Sequence, residues 1–192
     1  VLQPNECAFV VFRKDAKENS VADVKLNFPD RKKLLDLNNS WKVDFKDKLR
    51  GEKEIVVFDQ LSDWKDHAND RIKYYSGAAT YTSDFNLKSL PKNESVVLNL
   101  SNVSAMAKVK INGKYVGGVW TFPYELNVSQ FVKKGKNMIE VEVVNTWVNR
   151  LVGDLKLPED ERTTWTVHRP GADHPLQTSG LLGPVYLETY SK

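Results

Sequence analysis

From Leu34 onward, apolar side chains recur at every second position. Leu35 and Leu37, then Trp41, Val43 and Phe45, share one face, while Lys42, Asp44 and Lys46 take the other. A half-buried strand requires this alternation. The same reading predicts strands over 55–58, 74–85, 96–100, 105–111, 138–145 and 185–189, with Tyr75, Gly77, Ala79 and Tyr81 on one side of their segment. Between two strands, Ser62 followed by Asp63, Trp64 and Lys65 reads as an N-cap and one or two helical turns. Asn112-Gly113, set between Lys110-Ile111 and Lys114-Tyr115, predicts a tight hairpin, because both turn residues tolerate a positive φ.

Sustained helical periods and βαβ alternation are absent from this pattern. Many short strands punctuated by Gly, Pro and Asn predict an all-β fold, an antiparallel jelly-roll β-sandwich with one or two short helical turns. Upstream, the apolar run at 7–12 reads as a single strand, and the charged stretch from Arg13 to Lys33, broken by Pro29, as a linker. A lone short strand is not stable by itself, so it is expected to complete a sheet of this domain or of a preceding one.

The chain has 192 residues, 41% hydrophobic and 28% charged, enough for one substantial core. It is short for a TIM barrel, which typically needs about 250 residues. Its 28 Lys and Arg against 25 Asp and Glu alternate along the chain, so the formal +3 is no nucleic-acid footprint and no nucleic-acid partner is expected. No apolar run approaches the roughly 20 residues of a transmembrane helix, so no membrane insertion is expected. The first residues also lack a signal-peptide layout. Cys7 is alone, so no internal disulfide forms, which leaves the compartment open.

Candidate chemistry concentrates late in the chain. The segment 153–178 takes no strand or helix pattern and carries Trp165, His168, Arg169, Asp173 and His174. An ordered binding loop is the favoured reading, with a partner-facing lid as its rival. Trp120 follows Gly117-Gly118, where missing side chains let a backbone or ligand approach, and precedes Pro123-Tyr124-Glu125. An exposed indole suits the C–H face of a pyranose. Trp120 and Trp165 divide evenly between core and ligand, whereas Trp41 and Trp64 read as packing. Asn145, Asn149, Arg150 and Asp154 follow the alternating strand at its exit, where a forked guanidinium beside amides and a carboxylate bridges several hydroxyls. The rival reading pairs Arg150 with Asp154 to hold the loop base. His168, Asp173 and His174 match no standard zinc spacing. Cys7 sits in an apolar strand that disfavours the thiolate. No pair of carboxylates is singled out for glycoside hydrolysis, so no catalytic residue is assigned.

Several strings together resemble a known family: 74–81 (YYSGAATY), 109–120 (VKINGKYVGGVW), 122–126 (FPYEL), 135–139 (GKNMI) and 144–150 (VNTWVNR). They resemble the sugar-binding, galactose-binding-like jelly roll of glycoside hydrolase family 2. With Phe9 to Arg13, Asp63-Trp64, Gly153-Asp154 and 179–185 (SGLLGPV), the set is more similar still to the C-terminal part of family 106, the α-L-rhamnosidases. The resemblance runs from about Phe9 to the end of the chain.

It implies a non-catalytic accessory β-sandwich of a bacterial glycoside hydrolase, whose catalytic acids lie in a barrel outside this chain. The catalytic domain of the same polypeptide and carbohydrate would be its partners. Residues 1–14 would be the closing strand of a preceding β-domain, 15–33 a linker and 34–192 the jelly roll. Export to the periplasm, the medium or the cell surface follows from the same comparison. No cofactor is required, although jelly-roll carbohydrate modules of this kind often hold a structural calcium through oxygen ligands. Trp120, Tyr124, Asn149, Arg150, Asp154, Trp165, His168 and Arg169 are the candidate carbohydrate contacts. An independent lectin-like carbohydrate-binding module is the alternative function.

Overall fold

The structure, a computed structural model, describes residues 9, 30–37 and 39–191. The strand expected over 7–12 and most of the expected linker lie outside the described residues. Twelve strands are present among those described: β1 (Arg31–Asp36), β2 (Trp41–Phe45), β3 (Val56–Phe58), β4 (Ala78–Leu87), β5 (Glu94–Asn99), β6 (Val103–Ser104), β7 (Met106–Ile111), β8 (Lys114–Val119), β9 (Glu125–Asn127), β10 (Gly135–Val144), β11 (Gly180–Leu181) and β12 (Tyr186–Ser191). β1 begins at Arg31, so the sandwich takes up the last three residues assigned above to the linker.

β3-β2-β4-β10-β7-β8 form one sheet, β1-β12-β5-β9 a second, and β11-β6 a short third. All the pairings are antiparallel. The alternation predicted the inner faces of β2 and β4. Trp41, Val43, Phe45, Ala79, Tyr81, Val109, Ile139 and Val141 of the larger sheet are buried, as are Val96, Leu98 and Leu187 of the smaller one. These residues belong to one core between two layers, the arrangement that lets each sheet hide its apolar face. The chain is an antiparallel β-sandwich. At the β7–β8 turn, Asn112 and Gly113 have φ of 52° and 76°, the hairpin geometry expected.

Helical structure exceeds the expectation of one or two turns. A 3-10 turn spans Trp64–Asp66, capped by Asp63 rather than by Ser62: the Asp63 carboxylate accepts from the Lys65 amide. α1 (Asp70–Lys73) is capped by Asn69. Tyr74 and Tyr75 therefore precede β4 instead of belonging to it. α2 (Val148–Leu155) takes the exit of β10, and a second 3-10 turn covers Glu159–Glu161. The stretch from Gly153 is thus not wholly irregular.

α2 is too short to show a sustained period: Val148, Leu151, Val152 and Leu155 stand at helical spacing over only two turns, and much of its buried face is Asn149, Arg150, Gly153 and Asp154.

Candidate functional site

Register fixes which loops meet. Phe45 pairs with Ala79, Ala79 with Val143, Val143 with Ala107, and Ala107 with Val119. One row thus crosses five strands, and just beyond it the chain leaves β2, enters β4, leaves β10, enters β7 and leaves β8. Trp120, Asn145, α2 and the loop after β2 therefore emerge at the same end of the larger sheet. With strands about 4.8 Å apart, the exits of β10 and β8 lie about 10 Å from each other.

The candidate residues at this end divide by burial. Asn149, Arg150 and Asp154 are buried, with Asn149 and Asp154 only 1% and 2% exposed. Arg150 Nη2 donates to Asp154 Oδ1 in an i,i+4 ion pair. The other oxygen, Asp154 Oδ2, accepts from the backbone amides of Thr163 and Thr164 at 3.0 and 2.7 Å. Burial alone would raise the Asp154 pKa. The hydrogen bonds from the Thr164 hydroxyl, at 2.5 Å from Oδ2, and from Arg150 outweigh it and hold the carboxyl below its ordinary value. This carboxylate is occupied on both oxygens, so the rival reading, an ion pair at the loop base, is the one the geometry realises.

Asn149 is equally committed. Its side chain exchanges two 2.7 Å hydrogen bonds with the backbone of Gln177 and donates to Ser179 Oγ at 3.0 Å. Asn145 donates to the Tyr75 carbonyl at 2.8 Å and to Ser179 Oγ at 3.1 Å, and accepts from the Gly77 amide at 2.8 Å. Ser76 Oγ accepts from the Arg150 amide. The strings YYSGAATY, VNTWVNR and SGLLGPV thus meet in one buried polar network that joins β4, β10, α2 and the segment leading to β11.

Beneath it, Trp64 stacks on Tyr81 and donates its indole N–H to the Tyr81 hydroxyl at 2.6 Å. Desolvation raises the pKa of that hydroxyl, so it stays protonated. Gly180, with φ +100°, passes so close that an added Cβ would lie 2.7 Å from the Trp64 indole nitrogen. Trp41 and Trp64 are core residues, as read from the sequence.

Four other candidates stand in solvent. Trp120 is 71% and Trp165 74% exposed, which resolves their even division in favour of the surface. His168 and Arg169 are exposed on the same loop, where Arg169 Nε reaches only the Thr166 carbonyl, at 3.4 Å. Tyr124 is partly buried against the core and meets Phe122 edge to face at 6.3 Å. The loop is tied at both ends: Asp154 and Arg50 hold Thr163, and Asn149 holds Gln177. Gly117 has a packing reason, since an added Cβ would lie 2.9 Å from Leu126.

Sequence reasoning missed a cleft beside α2, lined by Arg50, Arg71, Tyr74, Lys156 and Glu161 among others. These residues come from three distant segments and share no motif, so no local signal marked them. Among the described residues, no group of three or more His, Cys, Asp or Glu side chains is placed to hold a metal ion.

Residues 64–172 match the family described as glycosyl hydrolase 2 galactose-binding domain-like. A Formosa agariphila protein, provisionally named a beta-glucuronidase, is 38% identical over 175 residues, covering 78% of this chain and 15% of that protein. The solved structure of a rhamnosidase from a Novosphingobium species aligns with a TM-score of 0.80 and 36% identity, over 86% of this chain and 16% of its own. A beta-D-glucuronidase of Dictyoglomus thermophilum shares the fold at a TM-score of 0.60 and 21% identity, over 86% of this chain and 30% of its own. The chain thus spans about one sixth of the length of the first two relatives.

Proposed function

The chain belongs to the glycosyl hydrolase 2 galactose-binding domain-like family, and from that premise we propose that it serves a larger bacterial glycoside hydrolase as a non-catalytic accessory β-sandwich. It packs on the catalytic domain of the same polypeptide and turns its loop end toward carbohydrate. The small share of each relative that it covers carries this reading: in proteins named for glycoside cleavage, a domain of this kind is one part among several. The exposed indoles of Trp120 and Trp165 support a contact role at that end, because a large apolar face left in water gains from being covered. The domain requires no cofactor for this role, and the parent enzyme works in the periplasm, the medium or at the cell surface.

Deleting residues 30–191 from the parent enzyme tests the proposal. The expected result is a fall in both kcat/KM and Tm on glycoside substrates. A truncated parent that keeps both values would overturn it. An independent lectin-like module would instead leave the truncated parent's chemistry intact on small aryl-glycosides and show saccharide affinity in the separate domain.

A further inference from the structure

The opposite end of the sandwich has a different character. β4 runs for ten residues, from Ala78 to Leu87, so its exit lies about 30 Å from the end where α2 and Trp120 emerge. Leu87 pairs there with Gly135, the first residue of β10. Asn112 donates 2.9 Å hydrogen bonds to the Phe131 carbonyl and to Asn137 Oδ1, which ties the β7–β8 turn to the same place. Residues 88–93, 112–114 and 131–136 therefore meet at one end.

These segments carry Lys88, Lys92, Lys114, Lys133, Lys134 and Lys136, all of them exposed. Lys136 pairs with Asp84 at 2.9 Å, and Glu94 stands two residues beyond Lys92. Among the described residues, Lys88, Lys92, Lys114, Lys133 and Lys134 form no ion pair. At the loop end, by contrast, Arg150 is matched with Asp154, Arg50 with Asp47 and Lys48 with Asp44. The formal charge of the whole chain is only +3. Unmatched positive charge is thus gathered at the end remote from α2.

Its layout selects a partner. Lys88 leaves β4 and Lys114 opens β8, three strand spacings or about 14 Å away in the order β4-β10-β7-β8. Lys92 precedes β5 of the other sheet, about 10 Å across the sandwich. The charges cover an area and do not follow a line, which suits a charged surface better than a single polymer chain. A hollow at this end is lined by Ser95, Asn127, Ser129, Gln130 and Phe131, none of them a cation. The lysines stand instead on the turns around it. They supply hydrated point charges without the guanidinium fork that selects one carboxylate or phosphate. Leu90, between Lys88 and Lys92 and 43% exposed, adds an apolar side chain of the kind that a headgroup boundary covers.

We propose that this end adsorbs to the anionic face of a lipid bilayer, as a peripheral contact with no inserted segment. Clustered lysines are attracted to such a face, and the attraction fades within a Debye length. The contact turns the Trp120 end of the sandwich away from the lipid. It does not depend on the accessory role, which the deletion in the parent enzyme tests by itself.

Co-sedimentation of the 192-residue chain with lipid vesicles is the test. Vesicles with about one third phosphatidylglycerol in phosphatidylcholine should retain the chain at low salt, and pure phosphatidylcholine should not. Salt at about 0.5 M should release it. Lys133→Gln combined with Lys134→Gln should weaken binding about twentyfold at unchanged Tm, since each lysine near an anionic surface contributes about fivefold. Lys42→Gln combined with Lys53→Gln removes the same charge from outside this end and should change binding less than about twofold. Undiminished binding in the first pair, equal weakening by both pairs, or retention on pure phosphatidylcholine would overturn the proposal. So would the absence of vesicle binding, whereas binding to soluble alginate without binding to vesicles would assign this end to a polymer and refute the membrane contact.

Discussion

α2 and Trp120 leave the same end of the larger sheet, and Trp165 lies on the loop that follows α2, yet the helix and these two indoles are physically opposite. The helix turns Asn149, Arg150 and Asp154 inward, where their side chains bind one another, the backbone of the following loop and Ser179. Trp120 and Trp165 have most of their surface in water. From residue type alone, both sets are reasonable carbohydrate contacts. Burial separates them: a carboxylate already filled by two amides, the Thr164 hydroxyl and a guanidinium has no oxygen left for a ligand, whereas a bare indole has a whole face.

If that contrast is right, the inward set is needed for folding and the outward set is not. The largest effect is expected at Asp154→Ala, which strands Arg150 as a buried unpaired cation and frees two loop amides. The cost should be about 3–5 kcal/mol in urea denaturation, with a Tm fall on the order of 10 °C. A loss under about 1 kcal/mol would show that this network is incidental.

Asn145→Ala comes next, because it leaves the Tyr75 carbonyl and the Gly77 amide without their partner. About 1–3 kcal/mol is expected, read from the same unfolding curves.

Acid should reproduce part of the Asp154 effect without mutation. The folded pKa of Asp154 lies below its unfolded value, so its stabilisation is complete above about pH 4 and is lost as pH falls through the folded pKa. Asp154→Asn should flatten the decline of stability with acid in that window, and an unchanged slope would assign the acid sensitivity to other carboxylates.

The smallest stability effect is expected at Trp120→Ala and Trp165→Ala, each within about 0.5 kcal/mol of the parent domain. Their consequence should appear in the intact enzyme, as weaker glycan affinity or weaker seating of the domain. A variant that destabilises the domain itself by more than that would place its indole in the core and erase the contrast.

Much of the sandwich was legible before any coordinates. Period-two alternation named the inner faces of β2 and β4, and Asn112-Gly113 named the turn between β7 and β8, because both signals are local and lie within a few residues of each other. α2 was not recognised, because its apolar spacing at Val148, Leu151, Val152 and Leu155 lasts only two turns. The polar part of its buried face is stable only because Thr163, Thr164, Gln177 and Ser179 arrive from later in the chain to satisfy it. The cap of the first 3-10 turn shifted by one residue for a related reason: the Asp63 carboxylate also accepts the Ser179 amide, a partner more than a hundred positions away.

The order of apolar and polar side chains was therefore enough to dictate a two-layer antiparallel sandwich, since burying alternate residues leaves a sheet little other choice. Which polar residues became scaffold and which face solvent was settled only when distant segments met. Hydrogen-bond partners, unlike hydrophobic periodicity, are not written next to the groups they satisfy. The cleft beside α2 follows the same rule, for Arg50, Tyr74 and Lys156 share a wall only after the strands have paired.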